Sequence, residues 1–529
     1  MLREHQRQLL DIVRKIRSGQ GRWTRIIAHV TPGGGKSALP VIAAAELIPA
    51  IAQKICWVVP RVALQQQAEE AFVDGNFRQM LKHKNLVRIA TNEPNPARGV
   101  EGYATTYAAL SVDTKKYNAA EFQKRKYILV LDEPHHIAED SSAQAAVKPL
   151  IDHAALTIFM SGTLERGKKE KIAFLPYFAQ GGELEISLRD SNETKVITYT
   201  RSDALAERAI IPIRVTFLDA KAEWKDRHGN RKMVSSLREH KKLAKEALWT
   251  AVSTQYAHEL LDTTVEDWWA GRKKNPRSKM LVVAATQKLA RMYAEYIQSH
   301  HGRPVGIATM DEGSGAMKAI GKFKKVSGEK SDILCTVAMA YEGLDVKPVT
   351  HIACLTRIRS KPWIEQMMAR ATRFDPDAGP WEHQEAHIFA PDDIFMHRIV
   401  DAVVNGQAAQ IKRKNFYEGD GSGGGGLRDL FGDLIPMTSG AAGKRSKRLD
   451  PGTSELSPSP PVIESLTPSQ REARLRDDIE FRVRDYAQNR KMPFRVVNAR
   501  LLRRFGKSRT DMTIAELQDV SKWVYKNLH

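Results

Sequence analysis

The chain has 529 residues, 42% of them hydrophobic and 27% charged, which excludes a disordered protein and exceeds one ordinary core, so roughly two to four domains are expected. Its 82 Lys and Arg against 62 Asp and Glu leave a net charge of +20, a balance that favours a polyanionic partner such as nucleic acid. No apolar run reaches the ~20 residues that span a bilayer, and the charged, amphipathic start MLREHQRQLLDIV does not read as a secretory signal, so a cytoplasmic protein with no membrane partner is expected.

In chain order, RIIAHV (25–30), KICWVVP (54–60), LVRIAT (86–91), YILVLDE (127–133) and LTIFMSGT (156–163) read as buried strands, rich in Val, Ile and Leu. Helical stretches such as SALPVIAAAELI and ALQQQAEEAFVD separate them. Such alternation predicts an α/β fold with a parallel sheet covered on both faces over residues 1–204. The pattern restarts over 205–415 with IPIRVTFL, KMLVVAAT, PVGIATM, DILCTVAM, THIACLT and EAHIFAP. Within it, residues 220–278 are polar and helical, with Trp268 and Trp269 adjacent, and read as an insertion or connecting arm.

The stretch 416–465 is rich in Gly, Ser and Pro and reads as a flexible linker. Residues 466–529 then read as a small helical domain, with 15 basic and 8 acidic side chains. Capping boxes are expected at Thr467–Gln470 and Thr513–Glu516, and apolar stripes at Leu475, Ile479, Val483 and at Leu517, Val520, Val524. The three cysteines, Cys56, Cys335 and Cys354, lie scattered in strand-like runs, fitting neither a zinc site nor a disulfide framework.

TPGGGKS (31–37) follows a strand and opens a helix, the setting a phosphate loop requires. Gly33, Gly34 and Gly35 let backbone N–H groups converge on phosphate without Cβ clashes. Lys36 is placed to reach the β- and γ-phosphates of a nucleotide and Ser37 to ligate Mg²⁺. Downstream, YILVLDEPHH delivers Asp132 and Glu133 at the carboxyl end of a strand, where open α/β sheets bind ligands. Asp132 is expected to hold Mg²⁺ and Glu133 to orient and deprotonate the attacking water. In WIEQMMARATRFD, Arg370 and Arg373 are three apart on a helical pattern and are expected to share one face as arginine fingers.

These blocks resemble the conserved motifs of superfamily 2 helicases and translocases of the DExH type, close to a restriction-enzyme-like branch with phage-borne members. The resemblance covers about residues 1–400: LREHQRQLL, TPGGGKS, VVPRVALQQQ (58–67), TTYAAL (105–110), DEPH (132–135), SGT (161–163), MLVVAATQKLA, TVAMAYEGLDVKP (336–348) and QMMARATR (366–373). It implies two RecA-like domains in tandem, ATP and Mg²⁺ as cofactors, and movement on nucleic acid, with DNA favoured over RNA. Gln6 would recognise adenine, while Thr31 belongs to the phosphate loop and Gly343 and Asp345 would lie by the ribose and the interdomain cleft. His135 and Gln366 would bridge the domains, and Ser161 and Thr163 would couple hydrolysis to motion. Arg61, Thr105, Thr106, Thr286 and Thr336 would face the nucleic-acid backbone, although a capping or turn role is an equal reading for each. The pattern departs at Ala369, where glycine is usual, and at Pro32–Gly33–Gly34 before Gly35–Lys36–Ser37.

Three readings follow: an ATP-driven motor, the motor subunit of a restriction or defence system with a separate nuclease, and a non-enzymatic DNA-binding scaffold. The intact Lys36, Asp132, Glu133 and Arg373 speak against the last. In the carboxy-terminal domain, Arg482, Arg484, Arg490, Arg495, Arg503 and Arg504 suit either DNA or a protein partner.

Overall fold

The structure, a computed structural model, describes residues 2–90, 96–97, 99–112, 118–164, 171–180, 183–239, 242–325, 327–337, 346–404, 434–448, 457–458, 468–490, 492–509, 512 and 514–527. It divides into two compact units, Met1–Pro458 and Ser459–His529.

The larger unit is built on two sheets that match tandem RecA-like domains. The first contains β1 (Arg25–Val30), β2 (Lys54–Val59), β3 (Val87–Ile89), β4 (Gly102–Thr106), β5 (Tyr127–Asp132), β6 (Leu156–Ser161) and β9 (Thr194–Tyr199). The order is β3-β4-β2-β5-β6-β1-β9, and every pairing is parallel. A two-stranded hairpin, β7 (Tyr177–Gln180) with β8 (Glu183–Ile186), stands outside it. Alternate residues of β5 enter opposite cores: Ile128 and Val130 pack with the helix Ala38–Leu47, whereas Leu129 and Leu131 pack with Val147 and Leu150. Burial on both faces is why these strands read as continuous apolar runs. It also sets β5, β6 and β1 side by side, so the chain ends that follow them emerge together.

The second sheet follows the order β13-β14-β12-β15-β16-β10-β17-β18, with β11 paired to β10. Its strands are β10 (Ile213–Lys225), β11 (Arg231–Val234), β12 (Lys279–Ala284), β13 (Val305–Ala308), β14 (Ile333–Val337), β15 (Val349–Leu355), β16 (Ala386–Pro391), β17 (Ile435–Arg448) and β18 (Ser457–Pro458). Two expectations change here. Residues 220–278 are not an inserted arm: β10 runs through to Lys225, and the helices Ala244–Ser253 and Gln255–Gly271 form part of the layer over this sheet. Tyr256, Leu260, Leu261, Val265 and Trp268 bury one stripe of the second helix in that core. Likewise, part of the expected linker, 435–448, is β17, antiparallel to β10 from Arg214↔Arg448 to Lys225↔Ile435. Its small side chains hid it; backbone pairing and polar contacts hold it, with Ser439 Oγ accepting the Tyr256 N–H at 3.1 Å and Lys447 meeting Asp401 at 2.7 Å.

The smaller unit contains helices Pro468–Asn489, Phe494–Phe505 and Ile514–Asn527 around Ile479, Val483, Val497, Leu501, Leu517, Val520 and Val524. Its expected caps Thr467 and Thr513 lie outside the described residues. Several of its arginines rest on its own aromatic rings, Arg482 over Tyr525 and Arg504 over Trp523, and Arg484 pairs with Glu480. The three cysteines are free and buried, and burial pushes the Cys56 thiol up to about 12. Among the described residues, no helix is long and apolar enough to cross a membrane.

Candidate nucleotide site

β1 ends at Val30, and the Thr31 N–H donates to Tyr199 O at 2.8 Å, which turns the chain into the glycine loop. Gly33 and Gly35 have φ of +82° and +87°, a region that penalises any Cβ. A Cβ on Gly34 would lie 2.8 Å from Thr31 O and 2.9 Å from Val30 Cγ1. The loop then feeds Ser37 at the N-cap of the helix Ala38–Leu47. From the first helix, Gln6 Nε2 donates to Gly35 O at 3.1 Å and Arg3 Nη1 to Gly33 O at 3.3 Å. Gln6, expected at adenine, braces the loop, and its Oε1 accepts the Arg3 N–H at 3.0 Å.

β5 delivers Asp132, and Glu133 follows in a left-handed conformation with φ of +51°. Two bonds lock this turn: Glu133 N to Met160 O at 2.8 Å and Tyr107 OH to Asp132 O at 2.9 Å. Lys36 Nζ pairs with Glu133 Oε1 and lies 3.3 Å from Asp132 Oδ1. Burial pushes the Lys36 ammonium down from its ordinary value; Asp132 opposes that shift and Arg370 adds to it. On the adjoining strand, Ser161 Oγ lies 2.5 Å from Glu133 Oε2 and accepts the Thr163 N–H at 3.0 Å. His135 Nδ1 is 3.4 Å from Glu133 Oε2, and its ring faces His136 at 4.5 Å between centroids.

The second lobe closes the other side. Arg370, Arg373 and Gln366 line the same cleft as Gly33, Lys36, Ser37, Asp132 and Glu133, a volume of about 270 Å³. The helix Lys361–Met368 ends before the two arginines, so they do not share a helical face; a turn and a bridge, Ile210↔Arg373, aim them instead. The bridge is reinforced by Ile211 N to Thr372 O at 2.8 Å. Gln366 Nε2 reaches Thr163 Oγ1 at 3.5 Å, a polar contact between the lobes, and His135 Nδ1 stands beside Glu133.

The remaining expected residues fall elsewhere. Thr105 and Thr336 are buried within their strands, and Thr336 Oγ1 donates to Ala308 O at 2.8 Å. Thr106 and Thr286 cap helices, accepting the N–H of Ala109 at 3.1 Å and of Leu289 at 3.2 Å. Arg61 lies at the N-cap of the helix Val62–Val73. Gly343 and Asp345 lie outside the described residues. Arg3 was missed by sequence reasoning, although it stands three residues before Gln6 on the face that meets the loop.

A family model described as "Type III restriction enzyme, res subunit" matches residues 1–166. An uncharacterised protein of Mycobacterium tuberculosis is 23% identical over 361 residues, 66% of this chain and 56% of that protein. The chain therefore spans about half the length of the curated relatives it matches. Among solved structures, it is similar to a DEAD-box helicase bound to single-stranded RNA (13% identity, TM-score 0.48, 99% of this chain and 86% of that one). It is also similar to the Mycobacterium smegmatis helicase Lhr bound to single-stranded DNA and AMP-PNP (12% identity, TM-score 0.46, 76% and 50%). The family model's match falls on the first lobe, from the helix Glu4–Arg17 through β6.

Proposed function

We propose that the chain is an ATP-dependent nucleic-acid helicase or translocase, acting on DNA in preference to RNA, in the cytoplasm of a phage-infected or prophage-bearing cell. One observation carries this reading: Lys36, Asp132 and Glu133 of one lobe face Arg370 and Arg373 of the other across a single cleft. The loop N–H groups and the helix amino terminus suit the phosphates of ATP. Ser37 and Asp132 would hold Mg²⁺, which supplies charge neutralisation at the β- and γ-phosphates when bound. The cradle fits: its glycines leave no Cβ in the loop, and an acid stands beside Lys36.

Lys36 exchanges its carboxylate partners for phosphate as ATP enters, and Glu133, released but still beside Ser161, orients water and accepts its proton. Arg370 and Arg373 stabilise charge on the γ-phosphate once the lobes close, and Thr163 and Gln366 report that closure across the interface. By the family resemblance Gly343 and Asp345 would contact the nucleotide, and Arg61 and Thr286 would face the track. The test is ATP turnover with single-stranded DNA, duplex DNA and RNA, Lys36→Ala serving as control. Stimulation by DNA is expected; absence of turnover with all three refutes the reading.

The restriction-subunit match favours a more specific version, in which the motor works beside a separate nuclease. Under that version the purified chain leaves plasmid intact in Mg²⁺ and ATP, and cleavage by the chain alone overturns it.

A further inference from the structure

A second cluster of metal-binding side chains lies outside the cleft. His351 on β15 and His387 on β16 are register partners, and their parity places them on the same face as Ala353 and Phe389. The helix Gln255–Gly271 crosses that face and contributes Asp267. Asp267 Oδ2 lies 3.1 Å from His351 Nε2 and 2.7 Å from His387 Nδ1. One ligand atom from each residue falls within 4.8 Å of the others.

The second nitrogen of each imidazole is already occupied. His351 Nδ1 is 2.8 Å from Thr350 Oγ1, which is itself hydrogen-bonded to Ser278 Oγ. His387 Nε2 is 3.5 Å from Glu385 Oε2, and Glu385 is held by Arg214 at 2.8 Å and Arg448 at 2.8 Å. Metal-bound histidines are oriented in this way, by a hydroxyl or carboxylate on the far nitrogen. The rings are 4.7 Å apart and tilted by 31°, and their inner nitrogens, His351 Nε2 and His387 Nδ1, converge on the same oxygen, Asp267 Oδ2. Asp267 is 43% exposed, which gives an ion a route in and leaves room for water as a fourth ligand.

We propose that Asp267, His351 and His387 bind one divalent transition-metal ion, Zn²⁺ being the match for two imidazoles and a carboxylate. Metal–ligand bonds of about 2.0–2.2 Å need Asp267 Oδ2 to draw back only slightly from the two imidazole nitrogens, which now stand 3.1 and 2.7 Å from it. The ion would clamp the helix Gln255–Gly271 onto β15 and β16, a role independent of ATP chemistry because none of the three residues lines the cleft.

The full chain, stripped with chelator, is titrated with Zn²⁺ by calorimetry and with Co²⁺ by visible absorption. One tight equivalent and a tetrahedral Co²⁺ spectrum are expected. Asp267→Asn and His387→Gln should weaken binding at least about tenfold, and Thr350→Val by about 10–100-fold through loss of His351 orientation. Zn²⁺ should raise the melting temperature of the parent but not of His387→Gln, with circular dichroism confirming that each variant is folded. A folded parent that takes up no Zn²⁺, or folded Asp267→Asn and His387→Gln chains that bind as the parent does, would show the triad to be a hydrogen-bonded strut alone and overturn the proposal.

Discussion

At the residue level, the cleft carries more positive than negative charge, with Arg3, Lys36, Lys347, Arg370 and Arg373 lining it against Asp132 and Glu133. Lys36 is shared between Glu133 and Asp132, so an incoming phosphate displaces a pair that already exists. Arg373 differs: it comes from the second lobe, and under the proposed function it would meet the γ-phosphate as the lobes close. Arg373→Ala should therefore lower kcat by about 10³–10⁵ while nucleotide affinity changes little; turnover at saturating ATP and a separate nucleotide titration check this. His5 gives a second prediction. It is fully buried against Tyr199, with ring centroids 4.2 Å apart, and burial, aided by Arg3, pushes its imidazole down to about 4. An unfolded histidine titrates near 6.5, so below that pH the unfolded chain takes up a proton that the folded chain refuses until about pH 4. Stability contributed by neutral His5 is therefore present above pH 6.5 and lost as pH falls toward 4, by about 2 kcal/mol between pH 7 and pH 5. Urea midpoints at the two pH values should converge in His5→Phe relative to the parent.

At the level of elements, the phosphate loop depends on backbone that tolerates no side chain. In Gly34→Ala the new Cβ meets Thr31 O and Val30 Cγ1 below 3 Å, so the loop must open. A strain of about 1–3 kcal/mol translates into roughly 5–150-fold weaker nucleotide binding. Gly75→Ala, with nothing within 4 Å and an ordinary φ, should leave binding unchanged in the same titration. The loop, β1, β5 and β6 were legible because burial on both faces writes strands as apolar runs, and the chemistry sits at their ends. In β4, GYATT has no such apolar run and carries no strand signal of its own; it becomes a strand by pairing with β2 and β3. In β17, IPMTSGAAGKRSKR reads as linker for the same reason, since it owes its conformation to β10. In the site, Lys36, Asp132 and Glu133 were legible from position along a strand, whereas the Gln366–Thr163 contact and the bracing by Gln6 and Arg3 arise from tertiary packing that no local pattern encodes.

At the level of the whole molecule, every described residue of the cleft belongs to Met1–Pro458, and Ser459–His529 is compact with a core of its own. That core is small. Domains of about 60 residues bury only about 60% of the surface their unfolded chains expose and are correspondingly marginal. The two units should therefore melt as separate events, the helical one smaller and at lower temperature. Scanning calorimetry of the full chain should show both, and a chain ending at Pro458 should lose the smaller while keeping the larger within about 2 °C, because a ΔΔG near 1 kcal/mol moves a large domain by only about 2–4 °C. The truncated chain should also keep its nucleic-acid-free ATP turnover within about twofold, since no part of the cleft is removed and each tenfold change would need about 1.4 kcal/mol. A single cooperative melt that vanishes on truncation, with turnover lost alongside it, would mean that the helical unit is required to fold the motor and is not an appended module.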